Sequence, residues 1–169
     1  MRYFTCCFAT TFGPLQLFAD DDALCGLLLP GKDLSEKEGS PGAWAAARDY
    51  SDHPLLREAR GQILAYLEGS LRAFDLPLAP QGTAFRQAVW QQLLTIQYGE
   101  TMTYGGLAAR LGDKNKARAV GGAAHHNPIA LIIPCHRLIG TDGGLTGFGG
   151  GLPLKRALLD LERRVCQSK

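Results

Sequence analysis

A chain of 169 residues, 46% hydrophobic and 20% charged, is long enough for one ordinary domain or two small ones, which excludes a disordered or low-complexity polypeptide. It has no run of 18 apolar residues, and its opening MRYFTCCFATTFG lacks a basic region followed by an apolar run and cleavage site, so it reads as soluble and intracellular, cytoplasmic or nuclear in a eukaryote, with no membrane association. The net charge of +2 divides unevenly at LPLAPQG, residues 76–82: up to Gly82 there are 7 Lys+Arg against 11 Asp+Glu and beyond it 11 against 5, so the second half is the one suited to approach phosphate.

Residues 2–30 read as three short strands rich in Phe, Thr, Leu and Tyr, broken at Gly13-Pro14 and at Asp20-Asp21-Asp22, an antiparallel meander. Residues 31–53 are loop-like. A helix follows from Pro54, with Leu55, Leu56, Ala59, Ile63, Tyr66 and Leu67 at helical spacing and Gly69 just past its end. Together these form an amino-terminal strand-and-helix module, residues 1–80, with no evident chemistry. After the linker, Phe85, Val89, Trp90, Leu93 and Leu94 mark one face of a helix that Thr83 caps and Gly99 closes. TYGGLAARLG and KNKARAVGGAAHHN are two short helices around Gly112-Asp113, a helix-turn-helix pattern. Gly121 and Gly122 inside the second each weaken a helix by about 1 kcal/mol relative to alanine, so either a tight helix crossing or close approach to a ligand backbone or DNA groove is expected there. NPIALIIPCHRLIG then runs extended, TDGGLTGFGGG is a glycine-rich loop, and LPLKRALLDLERR closes as a helix with Leu154, Leu158, Leu159 and Leu161 inward. The fold class expected is α+β: a small antiparallel-sheet module plus a mostly helical domain, residues 83–169, with a helix-turn-helix.

The five cysteines, at 6, 7, 25, 135 and 166, are odd in number and irregularly spaced, as reduced thiols are, and without CxxC spacing no metal site is expected. Cys135 stands beside His136. A thiol attacks as its thiolate and needs a base or a favourable field, and a histidine base needs an orienting acid, for which Glu162 on the last helix is the candidate. Adjacent residues of an extended segment face opposite ways, so a water or a local helical turn has to connect Cys135 to His136. From spacing alone, this relay competes with a buried structural thiol beside a satisfied histidine.

TYGGLA, KARAVGGA, NPIALII, PCHR and GGLTGFGGGLPLKRALLDLE decide between them. From Phe85 through Glu162 the chain resembles the O6-alkylguanine-DNA alkyltransferases, suicide DNA-repair proteins that remove alkyl groups from guanine; the amino-terminal module resembles them in length and strand pattern only. The resemblance implies that Cys135 accepts the alkyl group, His136 is the base through a water, and Glu162 orients the imidazole. Asn127 ties the active-site turn to the helix-turn-helix. Tyr104 helps turn the nucleotide out and donates to the base, with Lys155 near its hydroxyl. Arg118 enters the stack in place of the extruded base, while Ala119, Gly121, Gly122 and Ala123 let the second helix into the minor groove. Pro134 stiffens the turn that holds the sulfur and lines the base pocket together with Phe148, where relatives commonly have tyrosine, and the backbone at Leu138 and Gly149 reads the base edge.

The partner so implied is double-stranded DNA containing alkylated bases, met by a monomer that needs no cofactor. Methyl is the main cargo, with O4-alkylthymine a secondary candidate substrate. Extrusion is a physical necessity, because the alkylated oxygen of a stacked guanine is out of reach of a pocket, and it costs a few kcal/mol. A papain-type thiol hydrolase fits poorly, since such enzymes separate cysteine and histidine widely. An alkyltransferase-like sensor lacks the acceptor cysteine, and ARAVGGAAHH offers few side chains able to read base edges as a sequence-specific regulator does.

Overall fold

The computed structural model describes residues 2–34 and 42–168, so residues 35–41 of the expected loop lie outside the described residues. The chain separates into two compact units, one of Met1–Gln81 with Pro128–Ala130, the other of Gly82–Asn127 with Leu131–Lys169.

The first unit holds the expected meander, β1 (Phe4–Thr10), β2 (Gly13–Ala19) and β3 (Leu24–Leu28). A two-residue strand not expected from sequence, β4 (Arg48–Asp49), pairs in parallel with β1, giving the order β3-β2-β1-β4. The first break falls at Thr11-Phe12 rather than Gly13-Pro14, which open β2: Thr10 Oγ1 donates to the Gly13 carbonyl (2.6 Å) and accepts from Phe12 N–H (3.2 Å), closing the turn one step earlier. The second break is an Asx turn in which Asp20 Oδ1 accepts from Asp22 and Ala23 N–H. Period-2 alternation buries Cys6 and exposes Cys7. All five residues of β3 are buried, and the edge it turns away from β2 is bridged by Leu78 and Ile129. Phe18 stacks on Trp44 at 4.7 Å between ring centroids; a Cβ on Gly26 would lie 2.2 Å from that indole, so only glycine fits there. Helix α1 (Pro54–Leu67) starts on its proline and buries Leu56, Ala59, Ile63 and Tyr66; Leu55 and Leu67 are half-buried, and Gly69 (φ +82°) terminates it.

The second unit contains α2 (Ala84–Leu93), β5 (Met102–Thr103), α3 (Tyr104–Arg110), α4 (Ala117–His125), β6 (Leu138–Ile139) and α5 (Leu152–Gln167). Thr83 caps α2 as its residue type predicts, accepting from Arg86 N–H. The helix stops at Leu93 instead of Gly99, since the chain tightens to i+3 bonds (Thr95 N–H to Gln92, Ile96 N–H to Leu93), and this turns Leu94 outward, 48% exposed. Helices α3 and α4 form the helix-turn-helix pair, joined through a 3-10 turn at Lys114–Lys116 that Asp113 caps. Trp90 of α2 donates its indole N–H to the Ala123 carbonyl (2.8 Å), fixing α4 on the core. No helix among the described residues is long and apolar enough to cross a membrane.

The NPIALIIPCHRLIG segment is not extended throughout. Leu131 takes φ +76°, and Cys135–Arg137 form a 3-10 turn before β6, whose Leu138 pairs with Met102 of β5. The cause is Pro134. Its ring-limited φ of −82° with ψ 65° makes the centre of an inverse γ-turn, closed by Cys135 N–H donating to the Ile133 carbonyl at 2.8 Å.

Candidate active site

Three residues of one 3-10 turn carry the site's chemistry, and all are buried: Cys135 is 7%, His136 0% and Arg137 7% exposed. Asn127, just past the end of α4, donates its Nδ2 to the Ile133 carbonyl at 2.8 Å, the same carbonyl that closes the γ-turn. One acceptor thus ties the helix-turn-helix to the backbone two residues before the sulfur.

Behind the thiol, His136 Nε2 lies 2.8 Å from Glu162 Oε1. Glu162, wholly buried on the inner face of α5, also accepts from Arg137 Nε (3.2 and 3.1 Å to its two oxygens), from Arg137 Nη2 (2.8 Å) and from Gly99 N–H (3.0 Å). Burial opposes ionisation of this carboxyl, yet the hydrogen bonds from His136 and Arg137 hold its pKa down at about 2. His136 moves the other way: burial pushes its pKa below the ordinary histidine value, helped by the charges of Arg137 and Lys155 and opposed by Glu162. The ring is therefore a neutral imidazole at neutral pH, able to take a proton.

In front of the thiol opens a cavity of about 240 Å³, small beside drug-sized sites and suited to a single planar base. Among the described residues its wall consists of Tyr104, Gly121, Ala124, His125, Cys135 and Thr146–Gly149. The Tyr104 hydroxyl donates to the Thr146 carbonyl (2.9 Å), which also accepts from Lys155 Nζ (2.8 Å). The lysine lies 5.8 Å from the centre of the Tyr104 ring, and burial lowers its pKa while the proximity of Cys135 works against that. The Phe148 ring stands edge-on to His136 at 6.5 Å.

The structure thus brings Cys135, His136, Glu162, Asn127, Tyr104, Lys155, Phe148 and Gly149 together, and it places Arg118, Ala119 and Gly122 on the exposed face of α4. Three expectations need correction. Ala123 is 2% exposed and faces the core, because its turn of α4 is the one bound by Trp90, so it cannot meet a groove. Pro134 and Leu138 lie outside the cavity wall, the first occupied in the γ-turn and the second buried in β6.

Sequence reasoning overlooked Arg137, the strongest partner of Glu162, although it completes PCHR; a lone arginine in an apolar stretch was the available signal. It also overlooked Thr146, which acts through its carbonyl and so leaves no side-chain signal, and His125, which helical spacing from Gly121 places on the cavity side.

The model of the 6-O-methylguanine DNA methyltransferase DNA-binding domain matches residues 84–164, and that of the same family's ribonuclease-like domain matches residues 2–80. A methylated-DNA–protein-cysteine methyltransferase of Mycobacterium bovis is 51% identical over 155 residues, 89% of this chain and 87% of that one. The protein of that name from Methanosarcina acetivorans is 43% identical over 156 residues, 92% and 95% of the two chains. The crystal structure of Mycobacterium tuberculosis O6-methylguanine methyltransferase superposes with a TM-score of 0.84 at 40% identity, covering 99% of this chain and 96% of that one. A structure of the M. tuberculosis protein in complex with DNA gives 0.84 at 41%, covering 98% and 94%. With both halves matched and a relative at 51% identity over 89% of this chain, the chain belongs to the 6-O-methylguanine DNA methyltransferase family.

Proposed function

We propose that this chain repairs DNA by moving an alkyl group, chiefly methyl, from O6 of an extruded guanine to Cys135 Sγ, once per molecule. The observation that carries the reading is a cysteine in the wall of a base-sized cavity whose immediate neighbour is a neutral, fully buried histidine fixed to an ionised carboxylate. With Nε2 engaged by Glu162, the thiol's proton leaves through a water to His136 Nδ1. The sulfur lone pair then forms the S–C bond, the C–O bond breaks with its electrons going to the purine, and the purine takes up a proton in exchange. Tyr104 offsets the growing charge by releasing the Thr146 carbonyl and donating to a purine nitrogen, while Lys155, still bound to that carbonyl, keeps the loop in place. The product is a thioether that nothing in the site can hydrolyse, so the protein is consumed.

Delivery of the base falls to α4. A Cβ on Gly122 would meet nothing within 4 Å, and one on Gly121 only ordinary contact with the Tyr104 ring at 3.8 Å, so no internal packing demands glycine at either. This favours close approach to an outside surface, the minor groove of a double-stranded substrate, with Arg118 filling the vacated stack. Incubation with a duplex containing O6-methylguanine is expected to add one methyl mass, on the Cys135 peptide, stopping at one equivalent. An unchanged mass, or undiminished transfer by Cys135→Ser, overturns the proposal.

A further inference from the structure

We infer that Arg137 is a positioning residue for alkyl transfer: by pinning Glu162 as a fixed, fully occupied anion it sets which nitrogen of His136 carries the proton and keeps that ring uncharged. This rests on the alkyl-transfer reading of the site. Four donor hydrogens converge on Glu162: Arg137 Nε–H, shared between both carboxylate oxygens, Arg137 Nη2–H, Gly99 N–H and the His136 ring. An ionised carboxylate has about four lone-pair sites, so this one has no room to hold a proton. Nε2 of His136 must then carry the hydrogen it shares with Oε1, and Nδ1 is left as the basic nitrogen. The guanidinium is itself held in register, since Nη1 donates to the Ile96 carbonyl at 2.5 Å and its carbon lies 5.7 Å from the centre of the Tyr98 ring.

Charge matters as much as direction. The charges that bear on His136 include Glu162 and Lys155 from α5 and Arg137 on its own turn, where the Cys135 thiol is its neighbour. With Arg137 in place its positive charge offsets part of what a proton on the ring gains from Glu162, and Lys155 adds to the opposition, so burial prevails and the ring stays neutral. Without Arg137 the whole carboxylate charge acts on the ring, an imidazolium–carboxylate pair is favoured, and the base is spent at a higher pH than in the wild type. Conversion of Arg137 to a neutral residue therefore changes the pH at which the base works, which a purely structural arginine does not.

Histidine labelled with nitrogen-15 reports this directly in the unalkylated protein. In the wild type, His136 is expected as the Nε2–H tautomer, with Nδ1 unprotonated at neutral pH. In Arg137→Gln both its titration and the acid limb of the methyl-transfer rate move up by about one pH unit or more, a tenfold loss of rate below the limb. Arg137→Lys keeps the charge, so its limb stays with the wild type. An Nδ1–H tautomer or a cationic ring in the wild type overturns the inference, as does a limb in Arg137→Lys displaced like that expected for Gln. Removing one partner of a buried pair leaves an uncompensated charge, and should Arg137→Gln fail to fold, the wild-type tautomer and Arg137→Lys decide the matter without it. Absence of any methyl transfer by the wild type would fail the functional reading instead, and leaves the tautomer measurement standing.

Discussion

Gly99 sits where backbone conformation, packing and the catalytic carboxylate meet, and Gly99→Ala separates them. Its φ of +80° is left-handed, which costs an L-residue about 1–2 kcal/mol. A Cβ there would also stand 2.5 Å from Cys166 Sγ, closer than real Cβ contacts come, and overpacking of that kind costs about 1–3 kcal/mol. Together the two give about 2–5 kcal/mol of destabilisation. Relief by backbone movement carries the Gly99 N–H away from Glu162 Oε2, now 3.0 Å distant, so methyl transfer slows as well. Cys166→Ala removes the sulfur but not the dihedral strain. In the double variant the overpacking part, about 1–3 kcal/mol, is expected to return, leaving the conformational part. Urea unfolding followed by tryptophan fluorescence, with Trp90 as the reporter within the same unit, measures all four corners of the cycle. A Gly99→Ala protein within about 0.5 kcal/mol of wild type, or effects of the two substitutions that simply add, refutes the packing argument.

Asn127→Ala deletes the bond to the Ile133 carbonyl and is expected to lose about 1–3 kcal/mol in thermal or chemical unfolding, with a slower transfer rate because the turn bearing Cys135 is no longer tied to α4. Tyr104→Phe keeps the half-buried ring and loses the donor, so transfer from O6-methylguanine in a duplex falls about 10- to 100-fold while the melting temperature changes little. Arg118→Ala, at an exposed position of α4, leaves stability within about 0.5 kcal/mol but weakens duplex binding in a titration at fixed salt. Acid unfolding carries the signature of Glu162: its folded pKa of about 2 lies below its ordinary 4.5, so the stability it contributes is complete above 4.5 and is lost as pH falls toward 2, a loss that Glu162→Gln no longer shows.

Strand alternation, the proline that starts α1 and the threonine that caps α2 were legible because each is a local effect of side-chain type on the backbone beside it. The end of α2 was not legible: Gly99 carries the left-handed dihedral expected past a helix, but the chain had already tightened into 3-10 turns five residues earlier. The apolar run before Cys135 read as a strand because hydrophobicity alone cannot distinguish a strand from buried irregular backbone; Pro134 was the cue to a γ-turn, and Leu131 with its positive φ gave none. At the site, Cys135, His136 and Glu162 could be named because their side chains define the chemistry. Thr146 could not, since its contribution is a carbonyl, and Ala123 was misplaced because four small residues in a row do not say which of them the helix turns inward.

Helix α5 shows how one element separates two charges that the site needs apart. Its inward stripe contains Lys155, Leu158, Leu159 and Glu162, all buried, so an otherwise apolar face begins and ends on a charge. Seven residues at 1.5 Å per residue set the two about 10 Å apart along the axis. At one end Lys155 secures the loop over the cavity through the Thr146 and Gly147 carbonyls; at the other Glu162 is saturated by His136, Arg137 and Gly99. Were they a single turn apart they would pair with each other, Glu162 would lose its grip on the imidazole, and the loop would lose its anchor. The three buried leucines between the active-site charges are therefore part of the mechanism: Leu158, Leu159 and Leu161 keep water and competing partners out, so each charge has to find its counterpart in the cavity wall or in the turn behind the thiol.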